Sequence, residues 1–146
     1  MTMELTLDLA DRIAEATIAA GRTLDAQPLT VAVLDPGGHV VVLKRSDGSG
    51  ILRCEIAYGK AWGALGMGLA TRTLFERAKD APAFFTALAS ASLGRMIPVP
   101  GGVLLRDDDG HLLGAIGVSG DTSDMDEECA VEAIRSCGLV ADTGQT

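Results

Sequence analysis

Aromatic residues are scarce in this chain. One Trp, one Tyr and three Phe make up 3% of 146 residues, so the interior has to be assembled from Ala, Leu, Val and Ile, with backbones packed close together. Histidine is scarcer still. His39 and His111 both stand in turn-like Asp/Gly contexts, and no Gly-x-Ser-x-Gly occurs, which leaves a serine or cysteine triad hard to assemble. Cys54, Cys129 and Cys137 are odd in number and contain no Cys-x-x-Cys pair, which argues against a disulfide framework and against a zinc clamp. Basic clusters are missing too: 12 Lys and Arg face 20 Asp and Glu, for a net charge of −8, so nucleic acid is not an expected partner. Residues 61–70 form the longest apolar stretch, too short and too Gly-rich to span a bilayer, so no membrane partner is expected either. With no leader of the secretory kind, the expectation is a cytoplasmic, reduced protein. Nucleotide signatures are incomplete, because Gly66-x-Gly68 lacks a third glycine and Gly59-Lys60-Ala61 lacks the upstream glycine and the Ser or Thr of a phosphate loop.

What is present fits one domain over residues 1–146. A mean hydropathy of +0.27 is high for so small a domain, whose surface-to-volume ratio should demand many polar residues, and the apolar surplus predicts self-association. Leu5, Leu9, Ile13, Thr17, Ala20 and Leu24 recur at helical spacing, predicting a helix over 6–25 capped by Thr6. Runs 29–34 and 40–43 read as a hairpin across Asp35-Pro36-Gly37-Gly38, and 103–106 with 112–118 as a second hairpin across Asp107-Asp108-Asp109-Gly110. Between them lie a Gly- and Ala-rich helix over 51–69, shorter helices over 71–79 and 82–91, the latter capped by Asp80, and a short edge strand over 96–99. Phe75, Phe84 and Phe85 read as core. A last helix starts near Ser123 or Asp124 and stops at Gly138, and 141–146 reads as a frayed tail. Two hairpins with flanking helices make an α+β domain with one mainly antiparallel sheet.

Chemistry concentrates in two places. Arg53, Glu55 and Lys60 stand in a helix that otherwise avoids charge, and a Lys60 buried by the small residues around it needs a carboxylate, for which Asp126 and Glu127 are the candidates. That pairing is either a structural tie between two helices or part of a site. In the second case Lys60, Glu55 and Glu127 would move a proton, and Arg53 or Arg95 would hold a substrate carboxylate. Gly101 and Gly102 would then let backbone N–H groups approach an oxyanion. The other place is the polar run 119–127, whose acidic and hydroxyl groups read as helix capping ahead of anion binding.

Glu55-Ile56-Ala57-Tyr58-Gly59-Lys60-Ala61, then Pro100-Gly101-Gly102-Val103, then residues 114–120 and Asp126-Glu127-x-x-Ala130, resemble the GlcG/HbpS-like family of haem-binding or haem-degrading domains, in an order that covers nearly the whole chain. The resemblance implies a single sheet of about five strands with helices packed on it, a two-layer sandwich of profilin-like or sensor-like outline. It also implies a homo-oligomer, from dimer up to octamer, and haem as a possible cofactor. Some haem-binding relatives use a His in the first helix. The first helix here has none, so Cys54, His39, His111, Met67 and Met96 are the remaining iron donors. Two functions follow: a small-molecule-binding domain for haem, another tetrapyrrole or another planar metabolite, or a metal-independent isomerase, tautomerase or hydratase working through Lys60, Glu55 and Glu127.

Overall fold

Thr6 opens the fold as the sequence predicts. Its hydroxyl accepts the Leu9 N–H at 3.1 Å, Asp8 sits in the first turn, and helix α1 runs Leu7–Thr23. The computed structural model describes residues 3–145. After α1 come β1 (Thr30–Leu34), β2 (Val40–Arg45), α2 (Arg53–Met67), α3 (Thr71–Asp80), α4 (Pro82–Ala91), β3 (Gly102–Arg106), β4 (Leu112–Ser119), α5 (Ser123–Ser136) and β5 (Val140–Asp142). The strands form one sheet in the order β2-β1-β4-β3-β5, with every pairing antiparallel.

The two hairpin turns are built alike. Asp35 Oδ1 accepts the N–H groups of Gly37 and His39, and Asp107 Oδ1 those of Asp109 and His111. Each His returns Nδ1 to its aspartate, at 3.2 and 3.1 Å. Gly38 and Gly110, both at φ +85°, take the left-handed position that each turn requires. In both hairpins the register shifts by one residue close to the turn, between Val33 and Leu34 and between Leu105 and Arg106.

Every residue of β1 is buried, so the sheet is covered on both faces. On one face Val31, Val33, Val103, Leu105, Ile116 and Val118 meet Leu9, Ile13 and Ala14 of α1 and Cys129, Ala130 and Ile134 of α5. On the other, Leu34, Leu104 and Ala115 meet Ala61 and Ala64 of α2. The α+β plan with one antiparallel sheet of five strands therefore stands, and its helices make three layers where the resemblance implied two.

Several local expectations are corrected. Residues 96–99 form no strand; the Arg95–Ile97 backbone lies along α2, with the Ile97 N–H donating to Gly59 O at 3.2 Å. The edge position belongs to β5, so Ala141 and Asp142 are paired residues instead of a tail, fastened by Arg106 Nε on Asp142 at 2.8 Å; Thr146 lies outside the described residues. Thr122 caps α5 through the Met125 N–H, and the capping position of α4 is held by Ala81, not Asp80, with no side-chain cap. Phe84 is 53% exposed, Phe75 is also exposed, and α4 buries none of its residues, because the sheet beneath is already covered by α2.

Candidate functional site

Small residues decide where α2 rests. A Cβ on Gly117 of β4 would lie 1.8 Å from Ala57 O, and one on Gly102 would lie 2.4 Å from Lys60 O, so the helix backbone sits directly on the sheet. That approach carries Lys60 into the protein, where its side chain is 2% exposed. Its Nζ donates to Val118 O at 2.8 Å and to Asp126 Oδ2 at 3.1 Å. Asp126, 1% exposed, uses Oδ1 to accept the Asp121 N–H at 2.9 Å. Gly101, at φ +124°, closes the arrangement, since a Cβ there would stand 2.8 Å from Lys60 Nζ. Burial pulls the Lys60 ammonium below its ordinary pKa and pushes the Asp126 carboxyl above its own, against their mutual attraction, and the nearby Arg53 charge adds to the pull on Lys60. Among the described residues, every buried side-chain nitrogen and oxygen has a partner.

The remaining predicted site residues disperse. Glu127 is held by Arg72, whose Nε reaches both carboxylate oxygens at 2.9 and 3.0 Å and whose Nη2 holds Asp124, so α3 is tied to α5. Glu55 is exposed on α2 and is not joined to Lys60. Arg53 donates to Ser119 Oγ at 3.0 Å. Arg95 stacks on Trp62, 4.1 Å from the ring centroid, and donates to Ser92 O. Gly102 gives its N–H to Thr71 Oγ1 at 2.8 Å, while Gly101 O accepts from Val118. Sequence reasoning brought Lys60, Asp126, Gly101 and Gly102 together and missed Thr71 and Arg72; Arg72 stands in a first helical turn, and no local pattern sets it opposite two carboxylates.

Open space lies elsewhere. A groove of about 660 Å³ runs between the second half of α1, residues 26–29 and the end of β2, with Ile18, Ala26, Pro28 and Leu29 as its apolar lining and Arg22, Lys44 and Arg45 among its charges. Lys44 is engaged by Asp11 and Glu15, which raise its pKa and keep it protonated. A second cleft, about 160 Å³, opens between α2 and α4 and is lined by Trp62, Met67, Leu88 and Met96. Neither contains Lys60.

Residues 5–135 match the family described as haem degrading protein HbpS-like. The chain belongs to the HbpS-like family. Among solved structures it is similar to a haem complex of PduOC, at 26% identity with a TM-score of 0.86 over 96% of this chain and 99% of that one. It is also similar to a double mutant of Streptomyces reticuli HbpS, at 28% identity and a TM-score of 0.78 over 93% and 88%. In sequence it is 28% identical over 137 residues to the corrinoid adenosyltransferase PduO of Citrobacter freundii; these are 94% of this chain and 40% of that protein, so the chain spans less than half the relative's length.

Haem iron needs a His, Cys, Met or Tyr donor at an axial position. None lines the large groove. Met67 and Met96 line the small cleft, whose 160 Å³ falls below the roughly 300–1,000 Å³ of ordinary ligand sites. Cys129 is sealed in the core, where burial and the nearby Asp126, Glu128 and Asp121 raise its thiol to about 11. Neither of these two clefts combines room for the ring with a donor for its iron, and a third, about 350 Å³ beside Leu112 and Leu113, has Met3 as its one residue of donor type.

Proposed function

We propose that this protein is a small-molecule-binding domain whose ligand is haem or a related tetrapyrrole, and that it works as a homo-oligomer in the cytoplasm. The observation that carries this reading is the groove beside α1, about 660 Å³, where Ile18, Ala26, Pro28 and Leu29 stand among the charges of Arg22, Lys44, Arg45, Glu15 and Asp47. Membership of the HbpS-like family and the similarity to a haem complex of PduOC support it. The Lys60 junction supports it from another side. Proton transfer through Lys60, Glu55 and Glu127 needs an accessible ammonium near both carboxylates, whereas Lys60 is enclosed, Glu55 faces outward and Glu127 is paired with Arg72.

Association between copies is supported by apolar side chains left uncovered: Ile51 is 88% and Leu93 84% exposed, with Leu52 and Phe84 also turned outward. Light scattering on the purified protein should give a mass of at least twice the 15.0 kDa of one chain, and anything up to an octamer agrees with the reading. Three free cysteines suit a reducing compartment.

Titration of the apoprotein with haemin tests the ligand. A saturable Soret change that an unrelated protein of similar charge does not give is the expected result; an unsaturable change overturns the reading.

A further inference from the structure

The longest stretch of this chain without a charged residue runs from Ala81 to Gly94 and contains the whole of α4. Other uncharged stretches, 61–71, 96–105 and 110–120, feed α2, β3 and β4, which close the core. The stretch 81–94 does no such work, since α4 buries none of its residues. Leu93, 84% exposed, holds φ +56°, a left-handed position that strains a leucine and that glycine or asparagine would take more easily. Two copies of net charge −8 repel over most of their surface. On this face they meet without opposing charges and with no ion to desolvate.

The same face carries an anchor and a place for it. The cleft between α2 and α4 is lined by Trp62, Met67, Leu88 and Ala91 and by no charged side chain, whereas the other three clefts each contain acidic groups. Its 160 Å³ suits one phenyl ring, as a cavity of about 150 Å³ takes benzene. Phe84 stands at four and seven residues from Leu88 and Ala91, so it lies along the flank of α4 that borders the cleft. It does not line the cleft of its own chain; its ring is 53% exposed and set edge-on to Phe85, with centroids 5.8 Å apart.

We propose that α4 packs antiparallel against α4 of a second copy, about a two-fold axis between Ala87 and Leu88, and that Phe84 of each copy fills the cleft of the other. Anchor and cleft share one flank, about 10 Å apart along the helix. Satisfying both at once in two identical chains reverses one helix on the other, with the axis half-way between Phe84 and Ala91. Ala87 stands at that crossing, small enough for the helix axes to approach to about 8 Å. A buried aromatic anchor in an apolar pocket is the ordinary centre of a stable interface. The inference rests on the homo-oligomer reading and names the face, the orientation and the side chain that make the contact.

Trp62 is the one tryptophan of the chain and lines the cleft, so its emission reports the contact. The test follows that emission and the light-scattering mass of the full-length protein together. Phe84→Lys should lower the mass to half or less and shift Trp62 emission to the red, with circular dichroism unchanged because α4 buries nothing. Ala91→Glu should do the same. Phe84→Lys combined with Ala91→Glu should restore the larger mass, because antiparallel pairing sets each lysine against the glutamate of the other copy. Within one chain the two stand two turns apart, beyond the reach of a helical ion pair. Ile51→Glu, more than about 13 Å along α2 from Trp62, should leave the emission unchanged. An oligomer whose mass and emission ignore Phe84→Lys and Ala91→Glu overturns the inference and leaves self-association standing, as does a double variant that stays as small as either single one. A mass of 15.0 kDa for the unaltered chain overturns both.

Discussion

The two faces of the sheet are closed by different means. Under α1 and α5 the strands present branched aliphatic side chains, and the helices answer with Ile13, Ile134 and a row of alanines. Under α2 the strands present Gly102, Ala115 and Gly117, and the helix answers with its own backbone and one enclosed lysine. The first face is held by apolar area, at roughly 25 cal/mol per Å². The second is held by fit and by a buried ion pair, whose attraction is largely offset by the loss of solvation. Only the first face tolerates adjustment among side chains of similar size. The second has little side chain to adjust, and it leaves α4 with no sheet to cover.

The largest test of this contrast is Asp126→Ala, which strands the Lys60 charge and should cost about 3–5 kcal/mol in urea unfolding. Lys60→Met combined with Asp126→Leu should recover most of that loss; a double variant as unstable as Asp126→Ala would contradict a purely structural pair. On the aliphatic face, Ile13→Ala should cost about 2–5 kcal/mol by opening a cavity. Its counterpart on the α2 face, Gly117→Ala, adds one methyl yet should cost about 1–3 kcal/mol or more, because the Cβ meets Ala57 O. A neutral Gly117→Ala would mean that α2 does not rest on β4 as described.

Acid titration separates the groups further. Asp35, Asp107 and Asp121 lie below the ordinary value of 3.8, mainly through backbone N–H groups donated to them. The unfolded chain binds more protons there, so their contribution is complete above pH 3.8 and is lost as pH falls through their folded values. Asp126 moves the other way, because burial raises it. The folded chain keeps that proton longer, and stability from this group declines as pH rises from 3.8 through its folded value. Carboxyl carbon shifts followed by NMR should place Asp126 above 3.8 and the other three below. The smallest expected effect is Phe84→Ser: stability of the chain within about 0.5 kcal/mol, since the residue is exposed, but a lower mass by light scattering if α4 faces another copy.

Much of this fold was legible because its signals are local. Thr6 and Pro82 mark helix starts, Gly138 marks a stop, and the two Asp-to-His turns declare their hairpins. That Lys60 needs a carboxylate from the last helix was legible, because a charge among alanines and glycines has to find its opposite, but the choice of Asp126 over Glu127 was not. Illegible were the features that depend on what lies across space. Arg72 takes Glu127 from a separate helix, and β5 finds an edge that 96–99 was expected to fill. The exposure of Phe84 contradicts its composition, since an apolar helix reads as core whether its cover is its own sheet or another molecule. The groove beside α1 was not legible at all, being assembled from a helix, a loop and a strand end whose residues carry no motif.

The central claim is that ligand binding belongs to the groove beside α1 and that the Lys60 junction is structural. Amide shifts of the isotopically labelled protein, recorded with and without protoporphyrin IX, test it most directly. The account predicts changes centred on Ile18, Arg22, Ala26, Leu29 and Arg45, with Lys60, Gly101 and Asp126 undisturbed; changes centred on Lys60 and Gly101 instead would contradict it.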